Sequence, residues 1–357
     1  MYIKKLYIKN FRKYREQKIE FNESANVFYG SNAQGKTNIL EALYFGAIGR
    51  SFRTYKESEL IKLNHEYSNI IITYEKNNRE NTIEINLNKK ESKQIKLNGV
   101  KINKNSELVG NINLVIFSPD DITILKQGPA LRRKFLDILI SQLKPKYLHE
   151  LSEYNKILDN RNAMLKSKKI ETIDIWNQQL ADKMLVINQY RREYISKLQE
   201  KLINIHPTLT NNQEEIKIIY KTNFKDKESF LELLKRNEQN DFFKGYTTEG
   251  AHREDFEILI NDKSLNMYGS QGQHRTAILA LKIAELNIIK EEIGENPILL
   301  LDDVTSELDH QRVLSIFDVV KDYQVIITCT DLAQILQYDS LTKNIKLFNI
   351  SSGKVSD

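Results

Sequence analysis

NVFYGSNAQGKTNILEAL, residues 26–43, sets the reading of the whole chain. Its centre, Gly30 to Thr37, fits the pattern G-x-x-x-x-G-K-[ST]. An apolar run precedes it and a helical run, TNILEALYFGA, follows it. In such a loop successive backbone amides point inward around a phosphate, and the helix N-terminus adds its dipole. The expected cradle is Gly30, Ser31, Asn32, Ala33, Gln34, Gly35, Lys36, Thr37 and Asn38. Lys36 is expected to reach the β- and γ-phosphates of a bound nucleotide, and the Thr37 hydroxyl to ligate Mg²⁺.

The second signal is PILLLDDVTSELD, residues 297–309. A buried strand ending in Asp302-Asp303 places a carboxylate at the carboxyl edge of a sheet, beside the phosphate loop. There Asp302 is expected to hold Mg²⁺ through water, and Asp303 falls where a water-activating carboxylate belongs. Apolar strands ending in aspartate are common, and the pairing with a phosphate loop gives this one its weight.

Between them lies MYGSQGQHRTA, residues 267–277, two glycines with a serine and two glutamines just before a helical segment. Small side chains at a helix N-terminus suit close approach of a phosphate. They also suit an ordinary capped helix with Ser270 as N-cap.

Phosphate loop, S-x-G-Q and hhhhDD, in that order, resemble the ATP-binding cassette superfamily. "IKNFRKY", "SFRT" at 51–54, "FSPDDITILKQGPALRRKFLD" at 117–137, "GAHRED" at 250–255 and "YGSQGQHRTA" narrow the resemblance to the RecF group of recombination mediator ATPases, in its SMC-like branch. The resemblance spans nearly the whole chain. It implies an α/β cassette head: a P-loop mixed sheet (lobe I) from 1–117 and 294–357, and a mainly helical lobe II, 118–293, with a short antiparallel helical hairpin. It further implies that Ser270, the Gly272 amide and Gln273 contact ATP held by a second subunit, so that an ATP-dependent homodimer clamps double-stranded or gapped DNA. RecR and RecO as partners, and RecA indirectly, are implied in the same way. Arg12 and Arg53 resemble arginines that lie near nucleotide or DNA in that group; each also suits an ordinary surface.

The chain departs from the cassette pattern at several places. Thr330 stands where a transporter has its switch histidine, and a hydroxyl cannot supply the same charge, so slow hydrolysis is expected. Ser118 or Pro119 occupies the region of the glutamine loop, and Asp303 is one methylene shorter than the usual glutamate. In GAHRED, Ala251 and Glu254 replace proline and aspartate of G-P-H-R-D-D.

Composition bounds the alternatives. The 357 residues carry 53 basic and 48 acidic side chains, a net charge of +5 that permits nucleic acid as partner without arguing for it. No run of 18 apolar residues suggests a membrane span, and the broken start MYIKKLYIKNF lacks the apolar segment of a secretory signal. A single cysteine, Cys329, excludes an internal disulfide. A cytoplasmic protein is expected. His65, His149 and His206 lack partners at ligand spacing, so no structural zinc is expected.

Two other readings use the same motifs. A transporter's nucleotide-binding subunit has a much shorter separation than the 234 positions from Lys36 to Ser270. A structural SMC head caps a long coiled coil, whereas the helix expected from about Thr172 to Ile205 reaches only about 50 Å. That helix carries an apolar stripe of Ile173, Trp176, Leu180, Met184, Ile187, Tyr194, Leu198 and Leu202, with one double step across Arg191. Asn204-Ile205-His206-Pro207 is expected to end it. Its Lys183, Arg191, Arg192, Lys197 and Lys201 make either a solvated or a phosphate-contacting face, and Arg132, Arg133 and Lys134 form the better basic cluster.

Overall fold

The computed structural model describes residues 1–168, 172–303, 310–338 and 344–356. It divides into two compact units, Met1–Asp121 with Leu281–Asp357, and Ile122–Ala280.

The first unit opens with β1 (Tyr2–Phe11), β2 (Tyr14–Glu20) and β3 (Ala25–Tyr29), then α1 (Lys36–Ile48). β4 (Tyr67–Lys76), β5 (Arg79–Asn88), β6 (Gln94–Leu97), β7 (Val100–Ile102) and β8 (Leu114–Phe117) follow. An antiparallel sheet runs β2-β1-β4-β5-β6-β7. Its register stacks Leu6 on Ile72 and Ile72 on Ile83, the alternating apolar residues that this sheet buries on one face. The β6–β7 hairpin turns at Asn98-Gly99, both at positive φ, as a two-residue turn requires.

In the second unit α2 (Pro129–Leu143) and α3 (Pro145–Ser167) meet at Lys144, because Pro145 starts a new helix instead of continuing the old one. α4 (Ile173–Thr210) returns along α3, with Arg161 bonded to Asn177 and Lys183 paired with Glu150. After β9 (Ile216–Lys221) and α5 (Lys227–Arg236), β10 (Asp255–Ile260) and β11 (Lys263–Ser264) complete a three-stranded antiparallel sheet, β11-β10-β9. α6 (Gln271–Ile293) begins in this unit and ends in the first.

Two expectations for α4 change. The double step in its apolar stripe is filled by Arg191 itself, 2 % exposed, with its charge met by Asp137 and Glu254. Nor does Pro207 end the helix. It sits inside the last turn, and the chain turns at Asn211 and Asn212, both at positive φ, with the Asn212 amide donating to the Pro207 carbonyl. Proline interrupts a helix by its missing amide, which near a C-terminus forfeits one bond of a ladder already ending.

Returning to the first unit, β12 (Ile298–Asp302), α7 (His310–Val319), β13 (Val325–Cys329), β14 (Ile345–Ser351) and β15 (Lys354–Ser356) finish the chain. The second sheet runs β15-β14-β3-β13-β12-β8, parallel except for the edge strand β15. β12 and β13 are buried at every position, as strands covered on both faces must be. α1 lies against both sheets and is buried along almost its whole length. At Gly46 a Cβ would meet the tip of the Ile72 side chain of β4, so a larger residue there needs that side chain to shift. Among the described residues no helix is long and apolar enough to cross a membrane.

Candidate active site

β3 ends at Tyr29 in the middle of the parallel sheet, and the chain turns at once into the loop that starts α1. Gly30 has φ 147°, and a side chain there would run into the Ile350 carbonyl of β14. Gly35 has φ 118°, with the Tyr14 ring behind it and the Tyr14 hydroxyl donating to its carbonyl at 3.1 Å. Ala33, also at positive φ, has its carbonyl held by Lys13, and Gln34 accepts from the Ser352 amide at 2.6 Å. The β1–β2 hairpin and the β14–β15 hairpin thus brace the loop.

Lys36 folds into this loop, its ammonium donating to the carbonyls of Gly30 at 2.5 Å and Ser31 at 3.0 Å. Burial pushes it below the ordinary lysine range, opposed by the negative charges of Asp303 and Asp302. The next residue points the other way. The Thr37 hydroxyl donates to Asp302 Oδ1 at 2.9 Å, and Thr328 of the neighbouring strand donates to the same oxygen at 2.7 Å. Burial pushes the Asp302 carboxyl above its usual range, and the two hydroxyls pull it back. Asp303, at φ 49°, leaves the strand with its amide on the Thr328 hydroxyl at 3.1 Å. Thr37 and Asp302, 265 residues apart in sequence, therefore meet as oxygen donors of the kind Mg²⁺ takes with water. Oxygen donors on one side and a glycine-built loop with a lysine on the other fit a magnesium-bound phosphate.

Arg12, in the turn between β1 and β2, grips Glu41 of α1 with Nε at 2.8 Å and Nη2 at 2.7 Å, and its Nη1 donates to the Glu59 carbonyl. Glu41 is fully buried and also accepts from Ser51 at 2.6 Å, while Arg53 lies 3.7 Å from it and donates to Asn38 at 3.2 Å. Both arginines thus hold the start of α1. Sequence reasoning missed Glu41 and Thr328. A lone carboxylate in the apolar run NILEALYFGA must be paired if buried, and that was the available signal.

The second unit carries the serine-glycine patch. Ser270 and Gly272 are exposed at the start of α6. The Ser270 amide donates to Gln273 Oε1 at 2.8 Å and the Gln273 amide to Ser270 Oγ at 3.1 Å, a reciprocal capping box. Two arginines of the expected basic cluster in this unit bond within the unit. Arg132 forks onto Asp255 at 2.7 and 2.9 Å, and Arg133 donates to the Glu254 carbonyl. Lys183, Lys197 and Lys201 are likewise paired with carboxylates, which favours the solvated reading of α4. Ser306 to Asp309, the end of the second motif, lie outside the described residues.

The family model for the RecF/RecN/SMC N terminal domain matches residues 2–352. The DNA replication and repair protein RecF of Clostridium tetani is 45 % identical over 365 residues, 99 % of each chain. That of Clostridium perfringens is 42 % identical over 361 residues, also 99 % of each. The chain belongs to the RecF family. A solved structure of the recombination mediator protein RecF with ATP superposes with a TM-score of 0.91 at 38 % identity, covering 99 % of this chain and 97 % of that one. An Smc head bound to the C-winged helix domain of ScpA, 17 % identical with a TM-score of 0.59, shares the fold. This RecF-family chain is thus an α/β head of the ATP-binding cassette type, from a family of DNA replication and repair proteins. The GAHRED segment is legible in these terms. Arg191 takes the Ala251 carbonyl at 2.7 Å, a contact that proline would also offer, and the longer Glu254 reaches Arg191, Asn188 and Tyr220.

Proposed function

We propose that this protein is a slow, DNA-stimulated ATPase of the RecF type, whose ATP-bound dimer clamps double-stranded DNA at single-strand gaps and, with RecO and RecR, promotes loading of RecA. In this reading residues 1–117 and 294–357 form the nucleotide lobe, and 118–293 the helical lobe that carries the Ser270 patch. The observation that carries it is the meeting of Thr37 with Asp302 beside the Lys36 loop.

Bound Mg²⁺ would be held by Thr37 directly and by Asp302 through water, and would neutralise charge on the phosphates. Lys36 gives up the Gly30 and Ser31 carbonyls for the β- and γ-phosphates, an exchange of two neutral acceptors for charged ones. Amides of Ser31 to Thr37 line the phosphate tail, and Asn38 and Arg12 hold the helix end behind it. Asp303 takes the proton of the attacking water. Its short side chain, and the hydroxyl of Thr330 where a histidine cation would help, keep turnover slow. Ser270, Gly272 and Gln273 of a second copy close over the γ-phosphate, so a lone subunit lacks half its catalytic site.

Light scattering of the purified protein with ADP and with ATP, with and without gapped DNA, tests this. Dimers are expected with ATP alone and not with ADP. A mass that ignores the nucleotide would overturn the composite pocket. Ser270→Arg is expected to bind ATP and remain monomeric.

A further inference from the structure

The capping box at Ser270 does not end with Gln273. Gln273 Nε2 donates to Glu214 Oε1 at 2.9 Å, and the other oxygen of Glu214 accepts from His206 Nε2 at 3.2 Å. His206 is fully buried in the last turn of α4, and Glu214 lies in the connection between α4 and β9. We infer that Glu214 is a positioning residue for the Ser270 patch, holding the Gln273 carboxamide in the one orientation that presents Ser270 to a phosphate.

A glutamine carboxamide can turn over, exchanging its oxygen and its nitrogen at little cost. In the observed orientation its oxygen takes the Ser270 amide, so its NH₂ must point away from the patch, where the carboxylate of Glu214 meets it. Turned over, the NH₂ would face the Ser270 amide, donor against donor, while the oxygen faced a carboxylate. Glu214 therefore makes the second orientation costly. The consequence falls on Ser270. Its hydroxyl oxygen already accepts from the Gln273 amide, which leaves the O–H free to donate outward at the exposed N-terminus of α6. His206 fixes the carboxylate in turn: the acceptor is anionic, so Nε2 carries the proton. The last turn of the 38-residue α4 is thereby linked by hydrogen bonds to the residue expected to meet nucleotide.

The inference rests on the composite-pocket reading above, and the experiment separates the two. ATP-driven dimerisation is titrated by light scattering for wild type, Ser270→Arg, Glu214→Ala, Glu214→Gln and Gln273→Ala, alongside binding of a fluorescent ATP analogue to the monomer. Glu214→Ala is expected to raise the ATP concentration at half-dimerisation by about tenfold, the worth of one charge-assisted hydrogen bond, with monomer affinity unchanged. Glu214→Gln keeps an acceptor for Gln273 and is expected to stay within about threefold of wild type. In a Gln273→Ala background Glu214→Ala should add nothing, since it acts through that side chain. If Ser270→Arg stays monomeric while Glu214→Ala dimerises as wild type does, the positioning role is overturned. Full additivity of Glu214→Ala and Gln273→Ala would overturn it too, and this reading survives a moderate loss of stability in either variant. Should Ser270→Arg dimerise normally, the composite pocket falls and the inference with it.

Discussion

Glu41 and Arg12 form the pair whose removal has the most calculable effect. The Glu41 carboxylate is fully buried, taking two guanidinium N–H groups at 2.8 and 2.7 Å and the Ser51 hydroxyl at 2.6 Å. Stranding one member of a buried pair costs about 3 to 5 kcal/mol. For Glu41→Met the lower end applies, because the Arg12 side chain keeps 20 % exposure and its bond to the Glu59 carbonyl. For Arg12→Met the upper half applies: the carboxylate would remain in a dry site with Ser51 and the half-exposed Arg53 at 3.7 Å. The two singles together are thus expected to cost about 7 kcal/mol, whereas the double variant strands no charge and should cost little. A coupling approaching that sum is measurable by urea unfolding followed by circular dichroism. The single tryptophan, Trp176, lies in the other unit, so its fluorescence serves as an internal control. If the double variant equals the sum of the singles to within about 0.5 kcal/mol, the pair is not what holds the start of α1.

Further outcomes follow from the same geometry. Lys36→Met is expected to weaken nucleotide binding by about a hundredfold, the loss of a charge-assisted contact worth up to about 3 kcal/mol, measured with a fluorescent analogue. Asp302→Asn should raise the melting temperature at neutral pH: burial holds the native carboxyl pKa above its unfolded value, so wild type loses stability as pH rises through that native pKa and the variant does not. The same variant should lose any stabilisation by Mg²⁺ with nucleotide. His252, with Nε2 donating to the Thr247 carbonyl and Nδ1 accepting from Tyr154, is pushed down to about 4 by burial. Stability present above pH 6.5 should therefore be lost as pH falls towards 4, by about 3 kcal/mol. Trp176 fluorescence should show a smaller loss in His252→Gln. The buried Cys329 thiol, pushed up to about 12 by burial, should react with a disulfide reagent at pH 8 only when β13 opens, so its rate should follow unfolding as urea is added.

How much of this was legible depended on whether a residue's partner lay nearby in the sequence. The strands that alternate or run apolar, β1, β4, β5, β12 and β13, are legible from period and composition alone. β2 is not, because YREQKIE buries only Tyr14 and Ile19 at the sheet edge and reads as a charged turn. The phosphate loop and the Asp302 strand were each visible as local patterns. Thr328, which completes that corner, was not. A threonine in QVIIT gives no sign that strand register sets it beside Asp302, although two apolar strands in parallel fix the register once the sheet is known. Arg191 and Arg132 misled for the opposite reason. A sequence shows their charge, but not Asp137, Glu254 and Asp255, which lie 54, 63 and 123 residues away from Arg191 and Arg132.

The opposite shifts of Lys36 and Asp302 bear on why such a corner is kept. Burial lowers the lysine and raises the aspartate, so each is drawn towards its neutral form. Yet they do not pair with each other: Lys36 turns to loop carbonyls, and Asp302 to the hydroxyls of Thr37 and Thr328. A core selected for stability alone would bring them together or replace both with apolar residues. Keeping a cation and an anion apart, each satisfied by neutral groups, costs stability in the free protein. It leaves both charges available to something that carries the complementary ones. A triphosphate with a divalent cation meets both demands at once, and no single charged side chain does.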